Sequence, residues 1–350
     1  MKNKTKKISF VVVSVLLIVL LVIGTKLFTK ANKKDISQLP KIKLAYNIGN
    51  LDTVPVMIAY QKGYFKDEGV NVELVQVTPA DGLIAISSHQ VDMLIGGSTR
   101  LFGPIDKGAP IKFLSPMTNT DTEILIAPNS GIKTLKDLEG KKLSYGTGGS
   151  KESFLKNILK KENVDVKKIK FINVDNSYLG VALMDKKTVD AVVIADAGYV
   201  DQAKKLGAVV LPEWQDKKYS KFTMGLVVSA NTDFLNSNSD SIEKFFKAII
   251  KSNRYLKSNL DDSANIVAQF FKEKTNGATV IDPNNFKSQV KDGQVVYYLW
   301  EDPNTVVDNA RMCYELGQVD RALNINDLYD LRFKDLLEPA QNEIYGNTKN

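Results

Sequence analysis

The feature that bears hardest on how this chain can fold is an internal repeat. Lys43–Asn50 reads KLAYNIGN, and 99 positions later Lys142–Gly149 reads KLSYGTGG. Ala85–Gly97, AISSHQVDMLIGG, resembles Ala182–Gly198, ALMDKKTVDAVVIADAG, and the aspartates of their Val-Asp pairs, Asp92 and Asp190, are offset by 98. Between them, VELVQV (72–77) parallels IKFINV (169–174). Each half therefore runs strand, helix, strand, helix, strand. Short periods build solenoids, whereas a period near 100 residues builds two similar lobes. Alternation of strands with helices implies parallel sheets and crossover helices, an α/β class.

In such sheets ligands bind beyond the carboxyl ends of the strands. The loops expected there are NIGNLDT (47–53), GGST (96–99), GTGGS (146–150) and NSYLG (176–180). Helices that start in them leave backbone N–H groups and a positive dipole end, which attract anions and acceptor-rich ligands. The glycine-rich stretch is no nucleotide motif. A P-loop needs Gly-Lys before its Ser or Thr, but Lys151 follows Ser150; a dinucleotide fingerprint needs Gly or Ala where Lys151 stands. A capped helix start remains, with Phe154, Leu155, Ile158 and Leu159 as its inward stripe. Ser150 is either a plain cap or a cap that also touches ligand.

The formal charge of +7 does not indicate nucleic acid. Residues 1–34 hold eight lysines and no acid, so residues 35–350 carry a formal charge of −1. A duplex binder needs a basic face to neutralise phosphates, so no nucleic-acid partner is expected. Ile8–Thr25 is an uncharged, mostly apolar run of 18 residues, near the lower limit for a spanning helix and longer than the usual signal-peptide core. With four lysines on each side, the positive-inside rule gives no orientation. The 1–34 segment reads as an export signal kept as an anchor, with cleavage near Thr29-Lys30-Ala31 as the rival; either puts the body outside the membrane.

Catalytic groups are sparse. A Ser-His-Asp hydrolase would need His89, the one histidine, which stands in a turn before a strand. No GxSxG elbow and no His/Cys cluster of zinc spacing occurs. Cys313, the one cysteine, lies in a helical pattern and reads as a small buried hydrophobe. No cofactor is expected.

YNIGNLDTVPVMIAYQKGYFKDEGVNVELV, with Lys62-Gly63-Tyr64-Phe65 and then Glu68-Gly69-Val70, resembles the start of ABC-importer substrate-binding proteins for nitrate, sulfonates, taurine and thiamine pyrimidine precursors. SSHQVDMLIGG, NSGIKTLKDLEGKKLSYGTGGS, DSIEKFFKAIIKSNRYLKSN and LGQVDRALNINDLYDLRF extend the resemblance over about residues 41–335. It implies a type 2 periplasmic-binding-protein fold: lobe 1 from 41–122 plus 223–340, lobe 2 from 123–222, and a hinge made of TNTDTEILIA and KFTMGLVVSA. The partners implied are a small-molecule ligand and a membrane permease, and the binding protein is expected to be a monomer. Closure of the lobes is stabilised only by a ligand that touches both.

Carried onto the loops, the resemblance makes these residues candidates: Asn47, Asn50 and Thr53; Gly97, Ser98 and Thr99; Thr118 and Asn119; Thr147, Gly148, Gly149 and Ser150; Asn176 and Asp196. Each has a structural alternative as a turn, cap or backbone requirement. Asp196 would repel nitrate or sulfonate unless a cation offsets it; it suits an amine or ring N–H, as in an aminopyrimidine, or it caps the next helix. Tyr199 and Trp214 either stack on a flat ligand or pack in the core. Two other functions stay open: a tethered sensor module, and a pyrimidine synthase on the same fold. The yeast-type synthase depends on a cysteine-rich motif, which a chain with Cys313 alone lacks.

Overall fold

The computed structural model describes residues 36–47, 51–118, 123–146, 150–174, 177–194, 197–215, 225–277, 280–291 and 295–346. The leader, and the candidates Asn50, Asn119, Thr147, Gly148, Gly149, Asn176 and Asp196, lie outside them. The chain divides into two units, residues 1–40 and 41–350. The described part of the first contains one 3-10 turn, Ile36–Gln38. The second unit holds all the strands and α-helices described.

Its elements begin β1 (Lys41–Tyr46), α1 (Val54–Gln61), α2 (Tyr64–Asp67), β2 (Asn71–Gln76), α3 (Pro79–Ser87), β3 (Met93–Gly97), α4 (Ser98–Asp106) and β4 (Ile111–Thr118). The second half of the repeat gives β5 (Glu123–Ile126), β6 (Lys142–Gly146), α5 (Ser150–Lys161), β7 (Lys170–Val174), α6 (Ser177–Asp185), β8 (Ala191–Ile194), α7 (Ala197–Lys205) and β9 (Val209–Val210). Then come β10 (Leu226–Asn231), α8 (Thr232–Ser237), α9 (Ser239–Ser258), α10 (Leu260–Lys274), α11 (Pro283–Lys291), α12 (Asn304–Glu315), α13 (Ile325–Leu328) and α14 (Lys334–Tyr345).

Two five-stranded sheets result, ordered β2-β1-β3-β10-β4 and β7-β6-β8-β5-β9. The orders are equivalent. β1 pairs in parallel with β2 and β3, as β6 does with β7 and β8. The fourth position of each is an antiparallel strand, β10 in the first sheet and β5 in the second. The chain leaves the first sheet at β4 and enters the second at β5; it leaves at β9 and returns at β10. Part of each expected crossing segment is thus an antiparallel strand of the sheet it enters.

The repeated residues hold equivalent joints. The Asp92 carboxylate accepts from the Lys43 N–H at 2.7 Å, and the Asp190 carboxylate from the Lys142 N–H at 2.8 Å. Each ties the start of one strand to its parallel neighbour and occupies a donor the ladder leaves free. Gly82 in α3 and Gly180 in α6, 98 apart, let those helices approach their sheets closely. A Cβ at Gly82 would lie 3.0 Å from Leu94 Cδ1 and Val77 Cγ2; one at Gly180 would lie 2.7 Å from Val192 Cγ2. Gly108 and Gly207, 99 apart, both take φ +86 just after α4 and α7, the left-handed position that ends helices.

Helices cover both faces of each sheet. On the first, Ile42, Leu44, Met93 and Ile95 pack against α1, α2, α9 and α14, and Ala45 and Leu94 on the other face pack against α3, α4 and α12. On the second, Ile124 and Leu143 pack with Leu155, Ile158 and Leu159 of α5 and with Trp214, while Leu125 and Val192 pack with α6 and α7. Trp214 is therefore a core residue, as its packing alternative expected. Met312 and Leu316, at the end of α12, pack against the Trp214 cluster, so one helix touches the cores of both sheets.

Candidate functional site

β1 and β3 are adjacent, with Leu44 opposite Met93 and Ala45 opposite Leu94. The helices that follow them take opposite faces of the sheet: Val56 and Ala59 of α1 on one, Leu101, Phe102 and Ile105 of α4 on the other. The crevice beyond such a strand pair is where open α/β sheets bind ligands.

Two candidates from the sequence start the helices that follow these strands, Thr53 at the N-cap of α1 and Ser98 as the first residue of α4. Thr53 ends a 3-10 turn, Leu51–Thr53, and stands at the N-cap of α1, yet its side chain caps nothing. Ser98 is the first residue of α4; its N–H donates to the Gly225 carbonyl at 3.2 Å. Both residues are 1% exposed, and neither hydroxyl has a hydrogen-bond partner among the described residues. A buried polar group left unpaired costs about 1–3 kcal/mol. The neighbouring helix start shows the ordinary alternative. Thr78, at the N-cap of α3, accepts from the Asp81 N–H at 3.2 Å and donates to its carboxylate at 2.7 Å. Plain capping therefore accounts for Thr78 and for neither Thr53 nor Ser98.

Of the other candidates, Asn47 follows β1 and is partly buried, and Thr99 is 9% exposed. A Cβ built on Gly97 would meet no atom within 4 Å, so the strand end borders open space. Thr118 is the last residue of β4, opposite Leu226 of β10. In the second sheet Ser150 opens α5. Ser144 also carries a buried, unpartnered hydroxyl. It lies within β6 beneath α6, 3.3 Å from where a Cβ on Gly180 would stand, so it belongs to helix–sheet packing.

Arg100 was missed by sequence reasoning. It stands third in α4 and is partly buried. No ion pair involving it occurs among the described residues, and burial alone holds its guanidinium below the usual range. The available signal was a lone cation directly after the Gly-Gly-Ser-Thr loop. His89 is exposed, in a left-handed turn with φ 59, 3.4 Å from the Asn231 amide and 4.0 Å from the Asp233 carboxylate. Cys313 is buried in the core against α4, and burial pushes its thiol up to about 12, so it is not a reactive thiolate near neutral pH.

Two sheets of equivalent order, the first completed by β10 after the chain returns from the second, give the type 2 periplasmic-binding-protein fold. The solved E. coli periplasmic aliphatic sulphonate binding protein SsuA superposes with a TM-score of 0.63 at 17% identity, over 83% of this chain and 92% of its own. The family model described as NMT1/THI5 like matches residues 50–262, and the chain belongs to that family. A putative thiamine biosynthesis protein of Haemophilus influenzae is 25% identical over 223 residues, 61% of this chain and 68% of its own length. The 4-amino-5-hydroxymethyl-2-methylpyrimidine phosphate synthase of Schizosaccharomyces pombe is 28% identical over 94 residues. That match spans 26% of this chain and 27% of the synthase.

Proposed function

We propose that this chain is the extracytoplasmic solute-binding protein of an ABC importer, held at the membrane by its 1–34 segment. It captures a small polar or anionic solute between lobe 1 (41–122 plus 223–340) and lobe 2 (123–222) and delivers it to a permease. The observation that carries the reading is the pair of buried, unpartnered hydroxyls, Thr53 and Ser98, at the crevice between β1 and β3. The equivalent strand order of the second sheet supports a matching set of helix starts in lobe 2, and the relatives' names supply the solute classes. We assign it no cofactor and no catalytic step; Cys313, the one thiol, is buried in packing.

Titration calorimetry and thermal shift against 4-amino-5-hydroxymethyl-2-methylpyrimidine, its phosphate ester, short alkanesulfonates and nitrate test the reading. One class should raise the melting temperature without turnover. Thr53→Val and Ser98→Ala should each weaken that solute about tenfold and leave the ligand-free protein as stable as before or more so, because each removes an unpaired buried hydroxyl. Product formation, or a loss of ligand-free stability in both variants, would overturn it.

A further inference from the structure

β4 is the last strand in the order of the first sheet, paired with β10. Segments from far along the chain tie onto it. The Asp330 N–H donates to the Phe113 carbonyl at 3.0 Å, and the Tyr298 N–H donates to the Met117 carbonyl at 3.0 Å. The next amide, the Leu299 N–H, is held by Gln341 Oε1 of α14 at 2.7 Å. Beside Tyr298, the Tyr297 ring is buried in one cluster with Tyr46 of β1 and Val54 and Ile58 of α1. Its hydroxyl donates to the Leu51 carbonyl at 2.9 Å. Leu51 opens the 3-10 turn that ends at Thr53, and that turn lies against β4. The bond has a local reason. In an α-helix each N–H donates to the carbonyl four residues back. Four residues after Leu51 stands Pro55, in the first turn of α1, and proline has no N–H. The Tyr297 hydroxyl, 246 positions away in the sequence, stands in for that donor.

Resting on the binding reading above, we propose that Tyr297 is a positioning residue of the solute site. Through the Leu51 carbonyl it fixes the turn that carries Thr53. Through the adjacent Tyr298 N–H the same segment fixes the end of β4, one residue before Thr118. Tyr297 is assigned no contact with the solute. A binding hydroxyl works only when its carrier is held within about 0.5 Å of the productive geometry. The turn at 51–53 is too short to hold itself, and Pro55 removes one of the amides that would otherwise anchor it. A single side chain from the far end of the chain therefore sets where the Thr53 hydroxyl stands.

4-Amino-5-hydroxymethyl-2-methylpyrimidine, its phosphate ester, methanesulfonate and nitrate are titrated calorimetrically into the full chain. The probe that binds is then titrated into Tyr297→Phe, Thr53→Val, the double variant of both, and Tyr345→Phe. The last is the control. It removes a tyrosine hydroxyl bond of the same kind, to Asn253 Oδ1 at 2.7 Å, between α14 and α9, helices that hold no candidate. Tyr297→Phe keeps the ring and should weaken the probe about three- to tenfold. Tyr345→Phe should bind it within about twofold of wild type, as a site independent of the solute does. The two ligand-free variants should melt within a few degrees of each other, since each loses one hydroxyl bond. Because Tyr297 acts through Thr53, Tyr297→Phe should cause little further loss in the Thr53→Val background, a coupling that independent sites do not show. Unchanged binding in Tyr297→Phe, or the same loss in both backgrounds, would overturn the inference and leave the binding reading standing. So would a ligand-free Tyr297→Phe that melts far below Tyr345→Phe, which would make the bond purely structural. Failure of every probe to bind the wild type would count against both.

Discussion

The two sheets share strand order, aspartate joints, crossover glycines and left-handed helix ends, yet differ where their strands finish. The 98-residue offset that relates Gly82 to Gly180 also relates Ser98 to Asp196 and Arg100 to Gly198. Residues that pack one element on another recur across the repeat, and those at the carboxyl edge do not. Packing positions answer to the same geometry in both halves. The sheets also differ in support, since α8 to α14 follow the return strand β10 and the first sheet gains α9, α12 and α14 as cover.

Four sets of variants probe this contrast between the sheets. Trp214 should matter most, buried in the second sheet's cluster as Trp300 is in the first sheet's. Trp214→Ala should cost the second sheet about 3–5 kcal/mol in urea unfolding. The transition reported by Trp300 fluorescence should hold within about 0.5 kcal/mol, as distant sites do. A joint shift of both would show a single cooperative core, coupled through Met312 and Leu316. Next come the crossover glycines. Gly180→Ala drives a methyl to 2.7 Å from Val192, while at Gly82 the nearest atoms, Leu94 Cδ1 and Val77 Cγ2, lie at 3.0 Å and need give by only a few tenths of an ångström. We expect a loss of about 1–3 kcal/mol at Gly180 and a nearly neutral change at Gly82, where alanine's gain of about 0.5–1 kcal/mol in a helix offsets the crowding. Equal losses in denaturant midpoint would contradict the difference in approach.

The aspartate joints should behave alike. Asp92→Ala and Asp190→Ala each remove one carboxylate–amide bond, and each should lose about 1 kcal/mol; values differing by more than about twofold would mean the joints are not equivalent. Acid should have the mildest effect. Glu139, near the second sheet, is held at about 2 first by Lys136 and then by the Asp165 N–H. A carboxylate depressed on folding stabilises above its unfolded value near 4.5 and loses that contribution as pH falls toward about 2. Glu139→Gln should therefore flatten the acid limb of the Trp214 transition between those values and leave the Trp300 transition unchanged.

Much of the fold was legible in the order of residues. The KLAY and KLSY starts, the Val-Asp pairs and the spacing near 98 residues predicted two equivalent α/β halves, because strand starts and crossover packing need particular residues at particular places. The antiparallel pairing of β5 and β10 was not legible from periodicity: β10 joins strands more than 100 residues earlier, and only pairing shows it. Two of the expected loops are not loops in the described residues: GGST is the end of β3 and the start of α4, and Ser177–Gly180 lies in α6. Thr53, Ser98 and Thr78 look alike in sequence, each a hydroxyl at a helix start.

By itself, then, the chain's order of residues determined the class of fold, the duplicated joints and the zone where a ligand belongs, since these follow from local periodicity and from contacts repeated at a fixed spacing. Tertiary structure alone decided, among the described residues, which hydroxyls are satisfied and which are not. Burial and pairing are properties of neighbours brought together from distant positions. That is why Thr78 is a cap while the Thr53 and Ser98 hydroxyls have no partner among the described residues.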